Sequence, residues 1–427
     1  MDMDNDLLLY LNAALYVGTF FVYQYKKKYF SIGSFVLLFY AITSLIAIDL
    51  FRSPFAKEFH DLTLFPFIYL YIALMMCFSP LLRFKDKKIS SIRMPDSNLM
   101  NILSVIVIIS FMVKFLTEIS SFSFDNQFFD PMSLAENYKE RERVGGPPGL
   151  GLSNALRFLS FLLSDTLLLF LFYNMLMKNR LLSIGIILSL FSYLILSLSN
   201  GDRYYVFNLF IDLPFLYLLF RHKLAKKAHR IVSWSLISVG LILVIAMGTV
   251  TMGRYGNNKQ GEAYLIYSLE TYAAQNFIFF NNYGLDAGGI RYGDNTANLL
   301  KKIAGLNASD DQFEGRIVYS NLKIDNSRFY TFVGDFTLDY GPIVGFLILM
   351  LMTVLFSRLL RVNKGEYHFN QIVLLIGLYH ICVHGFSLFT YSFWMGNIKL
   401  IVLFLLYALL GLKKKIVFNY RPKLTIW

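Results

Sequence analysis

The sequence predicts an all-α polytopic membrane protein, and three observations carry that prediction. Hydrophobic residues fill 56% of the 427 positions and charged residues only 16%, where an ordinary soluble domain carries roughly a quarter. The mean hydropathy is positive, at +0.52. Apolar runs recur along the chain with the length, about 20 residues, that a helix needs to cross a hydrocarbon core of about 30 Å.

Taken in order, the runs predict about eleven transmembrane helices. The first, 7–25, follows the acidic MDMDND and stops at the lysines 26–28. The next two, 29–50 and 63–82, end before the basic RFKDKK. Then come 99–119 and 154–177, the latter closed by KNR. Runs 181–199 and 204–220 are separated only by Asn200–Arg203, where Asn-Gly supplies a tight reversal. Run 231–251 follows RHKLAKKAHR, 338–357 leads into SRLLRVNK, and 369–387 and 393–412 precede the basic tail. More than half of the 40 lysines and arginines fall in these basic connections. The positive-inside rule therefore predicts the N-terminus outside and the C-terminus in the cytoplasm. The expectation is a single integral membrane domain, 1–427, with a smaller external loop at 120–153 and a large one at 252–337. Within the large loop, Gly261–Phe280 is apolar enough to lie in or dip into the interface as a helix. Asp294 to Thr296 are predicted N-cap residues for a short helix.

The net charge of +12 is explained by these cytoplasmic loops, so no nucleic-acid partner is expected. Cys77 and Cys382 lie in apolar runs and form neither a disulfide framework nor a zinc pattern. The basic leader and small-residue cleavage site of a signal peptide are not seen. No internal repeat of the kind found in many transporters is visible.

With that topology, several arginines face outward: Arg203, Arg254, Arg291, Arg316 and Arg328. A guanidinium at such a place can hold a phosphate in a planar fork. The plainer alternative is snorkelling to headgroups or pairing with a loop acid. Aromatic residues interleave these charges, among them Tyr204, Tyr255 and Tyr272, which can stack on sugar rings or simply form an interfacial belt. Asp165 and Asp212 lie inside apolar runs, where function and structural pairing are both open. His380 and His384 share a helix face at i, i+4. Without HEXXH or an acidic third ligand they predict no metal site, and His384 remains a candidate acid/base group.

The stretch SRFYTFVGDFTLDYGPIVGFLILM (Ser327–Met350) resembles the hallmark of Wzy-type oligosaccharide repeat-unit polymerases. Its matching residues are Tyr330, Thr331, Phe332, Asp339, Tyr340, Gly341 and Gly345. The turn ending in Arg203 and the Tyr-rich segment Ala263–Asn282 fit the same pattern. The segment is also distantly similar to that of O-antigen ligases, but Tyr330–Thr331 stand where the ligase has His-Asn. The resemblance implies a glycosyltransferase in the bacterial cytoplasmic membrane. It would join oligosaccharide units carried on polyprenyl pyrophosphate, without metal or other cofactor, alongside a flippase and a chain-length regulator. Arg203, Arg254, Arg291 and Arg328 become candidate pyrophosphate ligands. Asp335 and Asp339, with His384 and Tyr330, become candidate catalytic groups, and Asp339 has a second reading as a tie that fixes its own segment. A flippase or exporter of the same lipid-linked sugars, or a ligase, is the alternative.

Overall fold

The computed structural model describes residues 4–84, 91–119, 151–199, 204–224, 226–255, 261–324, 328, 330–361, 366–411 and 416–419. Arg203 and most of the 120–153 loop lie outside the described residues, as do the side chains of Tyr204, Arg254 and Tyr255. Every predicted span coincides with a helix. These are α1 (Asn5–Lys27), α2 (Ile32–Arg52), α3 (Leu64–Arg83), α4 (Ser97–Ile119), α5 (Leu152–Leu163) with α6 (Leu167–Leu176), α7 (Arg180–Ser199), α8 (Tyr204–Phe220) and α9 (Lys226–Tyr255). The large loop holds α10 (Gly261–Tyr283), α11 (Asn298–Ile303), α12 (Gln312–Val318) and α13 (Thr331–Tyr340). The last three spans are α14 (Pro342–Leu359), α15 (Phe369–Cys382) and α16 (Phe393–Gly411). Among the described residues, nine helices are long and apolar enough to cross a membrane, counting α5–α6 as one. Helices α8 and α9 carry shorter apolar stretches, Tyr205–Phe220 and His229–Ile242. The protein is a mostly helical, multi-span membrane protein.

Local chemistry explains several boundaries. Ser31 and Ser34 form a reciprocal capping box at the start of α2, satisfying two otherwise orphaned backbone donors. The predicted single helix 154–177 is broken by a 3₁₀ turn, Ser164–Thr166, which carries Asp165. There Ser164 and Thr166 each donate to the carbonyl three residues back, a side-chain competition that bends helices.

Two expectations are corrected. The chain is not purely helical: β1 (Ser91–Met94) pairs in parallel with β2 (Glu366–His368) and antiparallel with β3 (Ile416–Asn419). All three strands come from short segments beside the basic connections, where no hydrophobic period announces them. The second correction concerns α10. From Ala274 to Asn281 every residue is buried, so this half of the helix is packed in protein instead of lying on the interface. Phe277 meets Tyr16 at 5.2 Å, Phe279 meets Phe59 at 5.2 Å and Phe280 meets Tyr69 at 6.0 Å.

The chain forms two compact units. The first comprises 1–86, 266–364 and 374–407, and the second 87–265, 365–373 and 408–427. In the first, α1 packs on α2 and α2 on α3, while α14 packs on both α3 and α13. In the second, α4 packs on α5 and α7, and α8 on α9. Helices α13 and α14 meet closely because Gly345 has no side chain: a Cβ there would lie 2.6 Å from the Phe336 carbonyl oxygen. Gly345→Ala is therefore expected to cost about 1–3 kcal/mol through overpacking, read as a lowered thermal midpoint of the purified protein.

Candidate functional site

Helix α13 is framed by its sequence. Gly341 closes it at φ +80°, donating its N–H to Thr337 O at 2.8 Å, and Pro342 opens α14 at once. A left-handed residue at this point favours glycine, and proline suits a first helical turn. At the other end, the N–H groups of Tyr330 and Thr331 both donate to Ser387 O at 3.1 and 3.0 Å. Thr331 adopts φ +68°, which a β-branched residue accepts only when its surroundings fix it.

Asp335 and Asp339 are four residues apart on α13, so they share one helix face. Both turn toward Arg291. Its Nε donates to Asp339 Oδ1 at 2.8 Å, and its Nη2 to Asp335 Oδ1 at 2.9 Å and to the Asp335 carbonyl at 3.2 Å. Nη1 donates to the Tyr330 hydroxyl at 3.0 Å. Arg291 is 1% exposed, and both aspartates are fully buried. The other carboxylate oxygens are engaged as well. Asp339 Oδ2 accepts from the Asn295 and Thr296 N–H groups and from the Thr296 hydroxyl, at 3.2, 2.8 and 2.7 Å. Asp335 accepts from Asn295 Nδ2 at 2.9 Å and from the Phe389 N–H at 2.6 Å. One arginine and two acids thus tie the loop 291–296, helix α13 and the segment before α16 into a single piece.

The electrostatics follow from that enclosure. Burial opposes the charge on Arg291, but Tyr330, Asp339 and Asp335 outweigh it and hold the guanidinium above its ordinary value. Burial pushes the Tyr330 phenol far up, with Arg291 pulling against it, so the hydroxyl keeps its proton. Burial also pushes the Asp339 carboxyl up, against the pull of Arg291. Sequence reading placed Arg291 among the pyrophosphate ligands and Asp335 and Asp339 among the bases. In the structure Arg291 directs its donors to protein groups, and both carboxylates accept from protein groups on each of their oxygens. Thr296, which the sequence offered as a helix cap, instead bridges Asp339 and the Tyr340 hydroxyl. Asp294 does not cap α11 either; it accepts from Lys301 and Ser309. Thr296→Val keeps the shape but orphans the Asp339 bond, and a loss of about 1–3 kcal/mol is expected, checked by thermal unfolding.

His384 is buried in the 3₁₀ turn after α15, its ring 4.3 Å from that of His380 and edge-on to Tyr379 at 5.8 Å. Tyr272 is half-buried on α10.

Arg328 is placed differently. Its side chain is 40% exposed and pairs through both terminal nitrogens with Glu58, Nη2 lying 2.6 Å from Oε2. The guanidinium also stands over the Phe279 ring at 5.3 Å. Glu58 belongs to the α2–α3 connection, which two asparagines of α10 hold in place. Asn282 exchanges hydrogen bonds with the His60 backbone, and Asn281 does so with that of Thr63. Around Arg328 lie Tyr267, whose hydroxyl reaches Glu58 at 3.5 Å, and Tyr283, whose ring meets His60. Burial and the Glu58 charge push the Tyr283 phenol up, against Arg328 and Lys323. A partly exposed guanidinium fork thus stands over the buried Phe279 ring, with the half-buried Tyr283 beside it. Sequence reading missed Glu58 and Tyr319, whose hydroxyl donates to the Arg291 carbonyl, and offered Asn295 only as part of a helix cap. The one sequence signal for the buried cluster was the four-residue spacing of its acids, which asks for a common partner. No protein-family model, curated protein or solved structure matches this chain.

Proposed function

We propose that the protein polymerises polyprenyl-pyrophosphate-linked oligosaccharide repeat units at the outer face of a bacterial cytoplasmic membrane. The proposal includes eleven crossings, an external N-terminus and the 252–337 loop outside. The observation that carries it is the Arg328 surface, which adjoins the buried Tyr330–Gly341 segment in sequence. A guanidinium fork suits pyrophosphate, and the half-buried Tyr283 ring near it suits the apolar face of a sugar. Arg328 is the pyrophosphate ligand, whereas Arg291 builds the platform.

In the reaction, an acceptor hydroxyl oxygen attacks the anomeric carbon of the donor. The bond from that carbon to the pyrophosphate oxygen breaks, and its electron pair stays on the pyrophosphate. Arginines aimed at that oxygen stabilise the charge as it develops. The hydroxyl proton needs an accessible base. We assign it to Glu58, which the donor phosphate displaces from Arg328, because Asp335 and Asp339 are fully buried and held by the arginine and the backbone. Glycan chains longer than one repeat are expected when the purified protein in lipid is given lipid-linked repeat units alone. Products that never exceed one repeat would sink the reading.

A further inference from the structure

The loop segment beside the buried arginine carries a group of apolar side chains that the protein itself does not cover. Leu300 and Ile303 on α11, Leu306 just after it, and Ile317 and Val318 at the end of α12 are all exposed, Ile303 at 74% and Ile317 at 77%. Tyr292, exposed at φ +53°, precedes them. Scattered apolar residues on a surface need no explanation, but five on two short helices and the link between them do. The two helices are joined, since Asn298 of α11 donates to the Ser309 carbonyl, just ahead of α12, at 2.8 Å.

What covers this group follows from where the segment is anchored. Asn295 O accepts from the Phe393 N–H at 2.7 Å, and Leu299 N–H donates to Asn397 Oδ1 at 3.0 Å. Phe393 and Asn397 form the first turn of the spanning helix α16. Thr296 also holds Tyr340, two residues before the spanning helix α14 begins. The root of α11 is therefore fixed at the depth where two spans leave the membrane. At 1.5 Å per residue, six helical residues reach only about 9 Å from there. Trp394 lies at the same junction with Lys302 over its ring at 5.7 Å, a pairing typical of headgroup depth. The spanning helices α14 and α16 expose apolar side chains of their own, such as Leu351 and Leu405. Charge contributes little, because Lys301 is paired with Asp294 and Lys302 with Asp310.

We propose that the α11–α12 segment is a membrane-surface contact. Leu300, Ile303, Leu306, Ile317 and Val318 insert into the headgroup–acyl boundary of the same bilayer that α14 and α16 cross. The contact would hold the loop at phosphate depth. It depends on apolar burial and not on lipid charge, as for other interfacial helices of low net charge.

The test uses the full chain with Ile303→Cys or Ile317→Cys, each labelled with an environment-sensitive dye and reconstituted in phosphatidylcholine vesicles. The native Cys77 and Cys382 are fully buried. We expect blue-shifted emission, strong quenching by nitroxide-bearing lipid and little quenching by aqueous iodide. Adding anionic lipid should leave these readings unchanged. Iodide quenching as fast as that of free dye overturns the proposal. Protection that rises with the protein-to-lipid ratio and ignores nitroxide lipid also overturns it, because a second copy then covers the surface.

Discussion

Arg291→Met is expected to leave little folded protein. The substitution keeps side-chain bulk but strands Asp335 and Asp339, both fully buried, without their cation. Removing one partner of a buried ion pair costs about 3–5 kcal/mol, a large part of the 5–15 kcal/mol that typically separates folded from unfolded. The measurements are the yield of monodisperse protein and its thermal midpoint. Arg291→Lys should fall between, because one ammonium cannot serve Asp339, Tyr330 and Asp335 at the positions that a planar fork reaches together. Combining Arg291→Met with Asp335→Asn and Asp339→Asn should recover part of the loss, since the orphaned charges go with the cation. A single Arg291→Met variant that melts like wild type would show that the arginine does not hold the loop.

Arg328→Ala should do the opposite: spare the fold and remove the activity. Its ion pair with Glu58 is partly exposed, and pairs of that kind contribute at most about 1 kcal/mol. Losing a donor aimed at developing charge typically lowers kcat about 10²–10³-fold, and chain lengthening is expected to fall on that scale. Arg328→Lys keeps the charge but not the fork, so most of the loss should persist. Glu58→Gln separates the two roles proposed for this pair. Donor binding should hold or tighten, because a competing carboxylate is gone, while turnover falls because no base remains. Unchanged turnover in Glu58→Gln would remove Glu58 from the chemistry and leave the arginine's role standing.

Much of the fold was legible because apolar length is a local property. Each predicted run from 7–25 to 393–412 lies on a helix, usually within a few residues at either end. The site was legible only in outline. Asp335 and Asp339 drew attention by residue type, yet their fate was decided by Arg291, more than 40 positions earlier. Arg328 shows the same limit, since the Glu58 that pairs with it lies 270 residues away. Asp294 and Thr296 had the chemistry of caps, but nearby Ser309 and Asp339 offered better partners. Sequence spacing shows which residues can act together within one element. Which elements meet is set by packing, and a single chain read in order does not display it.

The small sheet carries a consequence for counting. Strands cannot exchange backbone hydrogen bonds from opposite sides of a bilayer, so β1, β2 and β3 share a side. The chain between any two of them must then cross an even number of times. Between β2 and β3 lie α15 and α16, which satisfies parity. Between β1 and β2 lie four long candidate crossings together with the shorter apolar stretches of α8 and α9. Parity permits both short stretches to cross or neither, and it forbids just one. A reporter inserted at Gly201, ahead of α8, and another after Lys259, past α9, would therefore have to mark the same side.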